Sequence, residues 1–418
     1  MSYIQDWRML FTHWRHDLLA GITVGIVALP LALGFAITTG APASAGVSTA
    51  IIAGFIAALF GGSNFQVSGP TGAMTVVLVP IVAKYGLSAL PMLGIAAGVI
   101  IIALAIFRLG RFIDRVPLSV MEGFTLGIAL IIALQQIPLI FEVPKASGAH
   151  TVSVAIQTLR NAISSGIHWT ALLLAIGTLI TKRTWPRVKK YLHIHMHIPA
   201  SAVAVLLLSV LSYFLTLDVN RIGVLPRSLD FNFSFSFPDI PVVEFLYAAF
   251  VIAALGAIES LLSARVADGM AHSKIDHEQA KHQPNKELFG QGLATIASAL
   301  SGGLPATGAI ARTSVNVHSG ARTRLAAMIH AVFLLLVVLI FAPIVAYIPT
   351  SVLAGVLLGT SLRIANPRSV KEALQTTGPQ RLIYCVTALA VLFIDLIWGV
   401  VLGLILDFLV KKFKSRYQ

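Results

Sequence analysis

The sequence predicts an all-α polytopic membrane protein of about fourteen transmembrane segments in a 7+7 inverted repeat, with half-helices at segments 3 and 10. Three observations carry that expectation. The first is composition: of 418 residues, 57% are hydrophobic and only 11% are charged, with a mean hydropathy of +0.86. Soluble domains carry about 25% charged residues. The second is the recurrence of apolar runs near the ~20 residues that cross a bilayer as a helix. The third is a pair of Gly/Pro breaks at matching places of two halves. Gly61-Gly62 followed by Pro70-Thr71-Gly72-Ala73 is echoed by Gly302-Gly303 followed by Pro305-Ala306-Thr307-Gly308-Ala309.

In chain order, the first seven runs fall at 18–38, 45–61, 71–83, 89–107, 116–136, 167–181 and 198–217. The second seven fall at 240–264, 287–300, 307–317, 325–348, 350–361, 382–396 and 397–410. Runs 71–83 and 307–317 are too short to cross alone, and each is the third of its seven. The stretches before them, Phe65 to Ser68 and Leu304-Pro305, read as extended backbone. Extended backbone at membrane depth is tolerated only where protein or a cavity surrounds it. An odd number of spans per half turns the second half upside down, which is the inverted-repeat signature of secondary transporters.

Charge fixes the orientation expected. The loops after even-numbered runs are basic, with Arg108, Arg111 and Arg115, then Lys182, Arg183, Arg187, Lys189 and Lys190, then Lys274, Lys281 and Lys286. Arg322, Arg324, Arg363, Arg368, Lys371, Lys411, Lys412 and Lys414 continue the pattern. The loops 137–166 and 218–239 hold few basic residues, and Asp218, Asp230 and Asp239 lie in the second. Basic loops stay inside, so both termini are expected in the cytoplasm and the protein in the cell (inner) membrane as a multi-pass chain. The net charge of +13 is absorbed by this bias, so no nucleic-acid partner is expected. Met1 to Asp17 is charged and aromatic, unlike a cleavable leader. The single cysteine, Cys385, sits in an apolar run and allows neither a disulfide framework nor a Cys metal site. His193, His195 and His197 alternate without an acidic or Cys ligand nearby and read as interfacial rather than zinc-binding.

With the termini inside, the two half-helices start near mid-membrane and face each other. A helix N-terminus leaves backbone N–H groups unpaired and carries about half a positive charge. Two of them meeting in a low-dielectric cavity attract an anion. Glycines 72 and 308 let it approach the backbone, while Thr71 and Thr307 can cap or donate a hydroxyl. Arg312, about one turn into the second half-helix, adds a full charge and can bind an oxyanion bidentately. Glu259 lies deep in the eighth run, with Ser263 four residues on along the same face. Such a carboxylate can take a proton, or ligate Na⁺ with Ser263 and a backbone carbonyl such as that of Ala306. Glu122, Asp268 and Asp395 sit nearer helix ends, where packing roles are expected.

At these residues the chain resembles the SulP family of anion transporters, the sulfate-permease type whose animal relatives include prestin. The resemblance rests on Ala28-Leu29-Pro30 through Phe35, Ser68-Gly69-Pro70-Thr71, Leu255 through Ser260, Asn285 through Gly292, and Gly302-Gly303 through Arg312. It implies that Phe35, Thr71, Gly72, Ala73, Thr307, Gly308, Ala309 and Arg312 surround the anion. Glu259 and Ser263 would then help hold a coupling cation, Na⁺ or H⁺, with no other cofactor. It further implies a homodimer and an elevator-like movement of a core domain, residues 1–110 and 240–348, against a gate domain, 111–239 and 349–418. Two departures stand out. Many members carry a glutamine after the proline of span 1, where this chain has Leu31, and many continue into a cytoplasmic STAS domain, whereas this sequence runs to Gln418, just after span 14.

The reading is thus a secondary transporter of a small inorganic or organic anion (sulfate, bicarbonate or a dicarboxylate), with the anion left open between these and Na⁺ preferred to H⁺ for coupling, because Ser263 adds a neutral oxygen ligand of the kind a hard cation takes. The alternatives are an uncoupled exchanger or channel and, fitting less well, a nucleobase permease. Enzyme chemistry is not expected, because no nucleophile–base set, metal cluster or phosphate loop is present in the sequence.

Overall fold

A computed structural model describes residues 12–113, 116–148, 150–193, 198–225, 239–271, 281–365, 367–375 and 378–414. Each of the fourteen apolar runs coincides with a helix. In the first half these are α1 (Trp14–Thr39), α2 (Ala43–Phe60), α3 (Gly72–Tyr85) and α4 (Ala89–Ile106). The short α5 (Gly110–Ile113) leads to α6 (Leu118–Gln135), which continues into α7 (Ile137–Phe141). After α8 (Thr151–Ser165) come α9 (Trp169–Tyr191) and α10 (Ala200–Phe214). The second half holds α11 (Val242–Ala271), α12 (Pro284–Leu300), α13 (Ile310–His318) and α14 (Leu325–Val345). It closes with α15 (Thr350–Ile364), α16 (Pro367–Gln375), α17 (Gly378–Phe393) and α18 (Leu396–Lys414). Among the described residues six helices are long and apolar enough to cross a membrane unaided. The chain is a multi-pass membrane protein.

Prolines 42, 117, 199 and 349 stand immediately before α2, α6, α10 and α15, and Pro284 opens α12. A ring-fixed φ at a helix start removes no hydrogen bond, so these prolines set boundaries without weakening the spans. At the far end of α1, Gly40 adopts φ 88° and returns its N–H to Ile37 O and Ala36 O, a left-handed stop.

Helices α8 and α16 were not expected. In α8 the buried residues Val154, Ala155, Thr158 and Ala162 form one face, while Ile156 and Ile163 point outward. An amphipathic surface helix does not register in a search for continuous apolar runs.

The helices pack in two groups. In one, α12 lies on α4 and α2, α14 on α1 and α2, and α11 on α4 and α13. In the other, α17 lies on α6 and α18, and α9 on α15 and α10. Between the groups, α15 touches α1 and α3 touches α6.

Deep in the first group two short strands pair, β1 (Ser68–Gly69) with β2 (Thr307–Gly308), antiparallel, with Ser68 opposite Gly308 and Gly69 opposite Thr307. All four residues are buried. Polar side chains close the backbone around them. Glu287 accepts from Gly62 N and Ser63 N, both at 2.8 Å, and from Gln66 Nε2 at 2.7 Å. Gln291 donates to Ala306 O at 2.8 Å and accepts from Ser68 Oγ at 2.8 Å. Unpaired peptide groups at this depth would each cost several kcal/mol, roughly 2–7. This network is what makes extended chain tenable inside the helices.

The second half-helix begins three residues later than expected, at Ile310 rather than 307. The reason is visible in the donors: Gly308 N–H goes to Ser260 Oγ at 3.0 Å and Ala309 N–H to Val67 O at 2.9 Å. Residues 307 and 308 therefore extend the strand pairing, and Ala309 becomes the N-cap.

Candidate functional site

The strand pair sends α3 and α13 away from one crossing point, and both N-termini open on one cavity of about 550 Å³. Thr71, Gly72, Ala73, Ala309, Ile310, Ala311 and Arg312 line it, with Leu31 and Phe35 of α1 and Glu259 of α11. The opposite wall is Phe124, Ile128 and Ile132 of α6 and Leu357 of α15. The cavity thus lies between the two packing groups.

At α3, Thr71 is the N-cap and its Oγ1 accepts from Met74 N at 3.3 Å. That leaves the N–H groups of Gly72 and Ala73 without a partner among the described residues. At α13 no side chain caps the helix, so the N–H groups of Ile310, Ala311 and Arg312 are also unpartnered there. Five peptide donors and two helix dipoles therefore converge on one space, an arrangement suited to an anion. Ile310 and Ala311 were missed in the sequence, because they emerge as donors only once the helix start moves to 310. Gly72 is closely covered: a Cβ there would sit 2.1 Å from Ile132 Cδ1 and 3.2 Å from Phe35 Cε1.

Arg312 is 1% exposed, so it does not reach for the membrane surface. Its Nη2 donates to Pro70 O at 2.5 Å, tying α13 to the entry of α3. Its Nη1 has no acceptor among the described residues. The guanidinium lies over Gly69, where a Cβ would approach Nη1 to 2.4 Å and where φ is +152°. Glycine is required at this position on both counts.

Glu259 meets the two threonines. Its Oε2 accepts from Thr71 Oγ1 at 2.8 Å and from Thr307 Oγ1 at 2.6 Å, and the two hydroxyl oxygens stand 2.9 Å apart. No ion pair joins Glu259 to Arg312 among the described residues. Thr307 and Gly308 are buried in β2 beneath the cavity rather than on its lining, and Ala306 precedes them, its carbonyl engaged by Gln291. Ser263, also fully buried, donates to Thr313 Oγ1 at 3.0 Å, and Thr313 Oγ1 accepts from Val67 N at 3.0 Å. The structure therefore brings Glu259 to Thr71 and Thr307, and Ser263 to Thr313.

Of the remaining candidates, Asp268 pairs with His282 Nδ1 at 2.6 Å, and Asp395 accepts from Ile397 N at 2.8 Å. His195 and His197 lie outside the described residues.

With this geometry in hand, similarity to known proteins is informative. The sulfate permease family model matches residues 14–387. YvdB of Bacillus subtilis (strain 168), provisionally named a sulfate transporter, is 37% identical over 407 residues, 94% of this chain and 73% of that one. The bicarbonate transporter BicA of Picosynechococcus sp. (strain ATCC 27264 / PCC 7002 / PR-6) is 33% identical over 407 residues, 94% of this chain and 69% of that one. The solved transmembrane domain of a cyanobacterial BicA superposes with a TM-score of 0.84 at 32% identity, covering 93% of this chain and 98% of that domain. Fold, cavity and relatives agree, and the chain belongs to the sulfate permease family, as a membrane transporter and not an enzyme.

Proposed function

We propose that the protein is a secondary active transporter of a small oxyanion, sulfate or bicarbonate, coupled to a cation at Glu259 and working by an elevator-like movement. A dicarboxylate is the remaining substrate class. The observation that carries this reading is the convergence of two half-helix N-termini, Arg312 and Glu259 on one cavity between two helix groups. Phe35, Thr71, Gly72, Ala73, Thr307, Gly308, Ala309 and Arg312 form or support the anion site. The names of YvdB and BicA supply the substrate candidates.

The packing supports an inverted repeat. Helix α1 lies on α14 as α11 lies on α4, and α2 on α14 as α12 on α4. Likewise α9 lies on α15 as α17 on α6, and α9 on α10 as α17 on α18. On this reading residues 1–110 and 240–348 are the core domain, and 111–239 and 349–418 the gate. The protein is a homodimer in the cell membrane with both termini cytoplasmic.

The contacts of Glu259 favour a proton over Na⁺ as the coupling ion. Three oxygens make three mutual contacts of 2.6, 2.8 and 2.9 Å, while two hydroxyls supply only two hydrogens. A protonated carboxyl supplies the third and closes the ring. Ser263, the other oxygen expected to ligate Na⁺, donates to Thr313 rather than meeting Glu259 among the described residues.

The test is uptake of radiolabelled sulfate and bicarbonate into proteoliposomes under separately imposed pH and Na⁺ gradients. An inward proton gradient is expected to drive accumulation, and Glu259→Gln to abolish that drive while retaining exchange. Accumulation driven by Na⁺ alone would replace H⁺ with Na⁺. Gradient-independent flux through the wild type would leave an uncoupled exchanger or channel.

A further inference from the structure

The cavity floor explains where an anion stops, but not how it enters against apolar walls. At the mouth two basic side chains stand on opposite helix groups: His318, last residue of α13, and Arg363, in the last turn of α15. Arg363 is exposed and makes no ion pair or hydrogen bond among the described residues. The charge it meets is a like one, on Lys182 of α9. Lys182 is held in place by Val356 O at 2.7 Å and Thr360 Oγ1 at 3.2 Å, and Thr360 itself lines the cavity.

Arg363 has no acidic partner among the described residues, so an anion reaching the cavity meets an uncompensated guanidinium there. Glu259 is the one acidic residue on the lining among the described residues, and its Oε2 is engaged by two hydroxyls. From mouth to floor the basic groups on the lining, His318, Arg363 and Arg312, outnumber that single carboxyl. His318 is six residues along α13 from Arg312, about 9 Å by the helical rise. That is comparable to the screening length at physiological salt, about 8 Å, so an anion at the mouth already feels the floor.

We infer that Arg363 and His318, which line the same cavity as Arg312, form an outer capture site for the oxyanion before it reaches the two helix N-termini. This rests on the transport reading above. It assigns Arg363 a role in capture beyond that of a cation at a helix C-terminus, where such a charge merely complements the dipole.

The experiment is sulfate and bicarbonate uptake by reconstituted protein at about 0.01 M and about 0.15 M ionic strength, between which the screening length falls from about 30 to about 8 Å. Arg363→Gln is expected to raise the apparent KM roughly three- to tenfold at low ionic strength, with a smaller effect on the maximal rate. The difference should shrink at the higher ionic strength, and Arg363→Lys should restore most of the affinity. His318→Glu, which leaves Arg363 in place, should raise KM with the same salt dependence. Monodisperse Arg363→Gln and His318→Glu proteins with wild-type KM at both ionic strengths would overturn the capture site. Arg312→Gln separates the two readings. If it binds both anions as wild type does, the floor site falls, whereas a salt-dependent KM for Arg363→Gln would still support the mouth. Wild-type protein that takes up neither of these anions nor a dicarboxylate overturns both.

Discussion

The two breaks share a backbone but not a chemistry. The first leads into α3, fourteen residues long, apolar, and capped by the Thr71 hydroxyl. The second leads into α13, nine residues long, uncapped, and carrying Arg312, Thr313 and Asn316 on its buried side. The pairing of β1 with β2 places two helix ends together. The difference between them decides the sign and strength of the site: the first half supplies donors and a neutral cap, and the second supplies the charge.

The largest test of that asymmetry is Arg312→Ala. It removes the guanidinium at the floor, and charge-assisted hydrogen bonds contribute ~1.5–3 kcal/mol each, so sulfate or bicarbonate affinity should fall roughly ten- to a hundredfold. Calorimetric titration of monodisperse protein measures it. Unchanged affinity would show that the helix ends alone hold the anion and that the halves are equivalent.

A smaller effect is expected from paired glycine changes, read as thermal melting in detergent. Gly69→Ala combines a φ of +152° with a 2.4 Å approach to Arg312 Nη1 and should destabilise by about 1–3 kcal/mol. Gly308→Ala meets only the amide end of Gln66, at 2.2 Å, and its φ is not left-handed, so its melting point should fall less. Equal losses would mean that Arg312 exerts no special constraint on the first break.

The legible part of the fold was the part written locally. Hydropathy located a helix at each apolar run, and Gly/Pro spacing located both breaks. The start of α13 was not local, because Gly308 and Ala309 give their N–H groups to Ser260 and Val67, which no neighbouring residue announces. The meeting of Glu259 with Thr71 and Thr307 was hidden for the same reason, although each residue was individually a candidate. Helix α8 was readable from the spacing of Val154, Ala155, Thr158 and Ala162, a helical face rather than a continuous run.

The smallest predicted effect makes the breaks more alike. Ala309 has the extended backbone of an N-cap (φ −95°, ψ 106°) but no capping side chain. Ala309→Ser should stabilise α13 by about 0.5–2 kcal/mol, the usual range for gaining a cap, while occupying a donor that now faces the cavity. A raised melting point with slightly weaker anion binding is expected. A raised melting point with unchanged binding would show that the donors of α13 do not contact the anion.

The pairing of Ser68 with Gly308 also has a consequence for biosynthesis. The partners lie 240 residues apart (308 − 68), so β1 leaves the ribosome long before β2 exists. Until then the peptide groups around Gly69 have no ladder to join, and lipid offers them nothing in exchange. The early half is therefore an unfinished object in the bilayer, which must keep that segment near water or a chaperone until its counterpart arrives. Contacts of such long sequence separation are slow to close. The pairing that sets α3 and α13 on one cavity is thus also a contact that cannot form until most of the chain has been made.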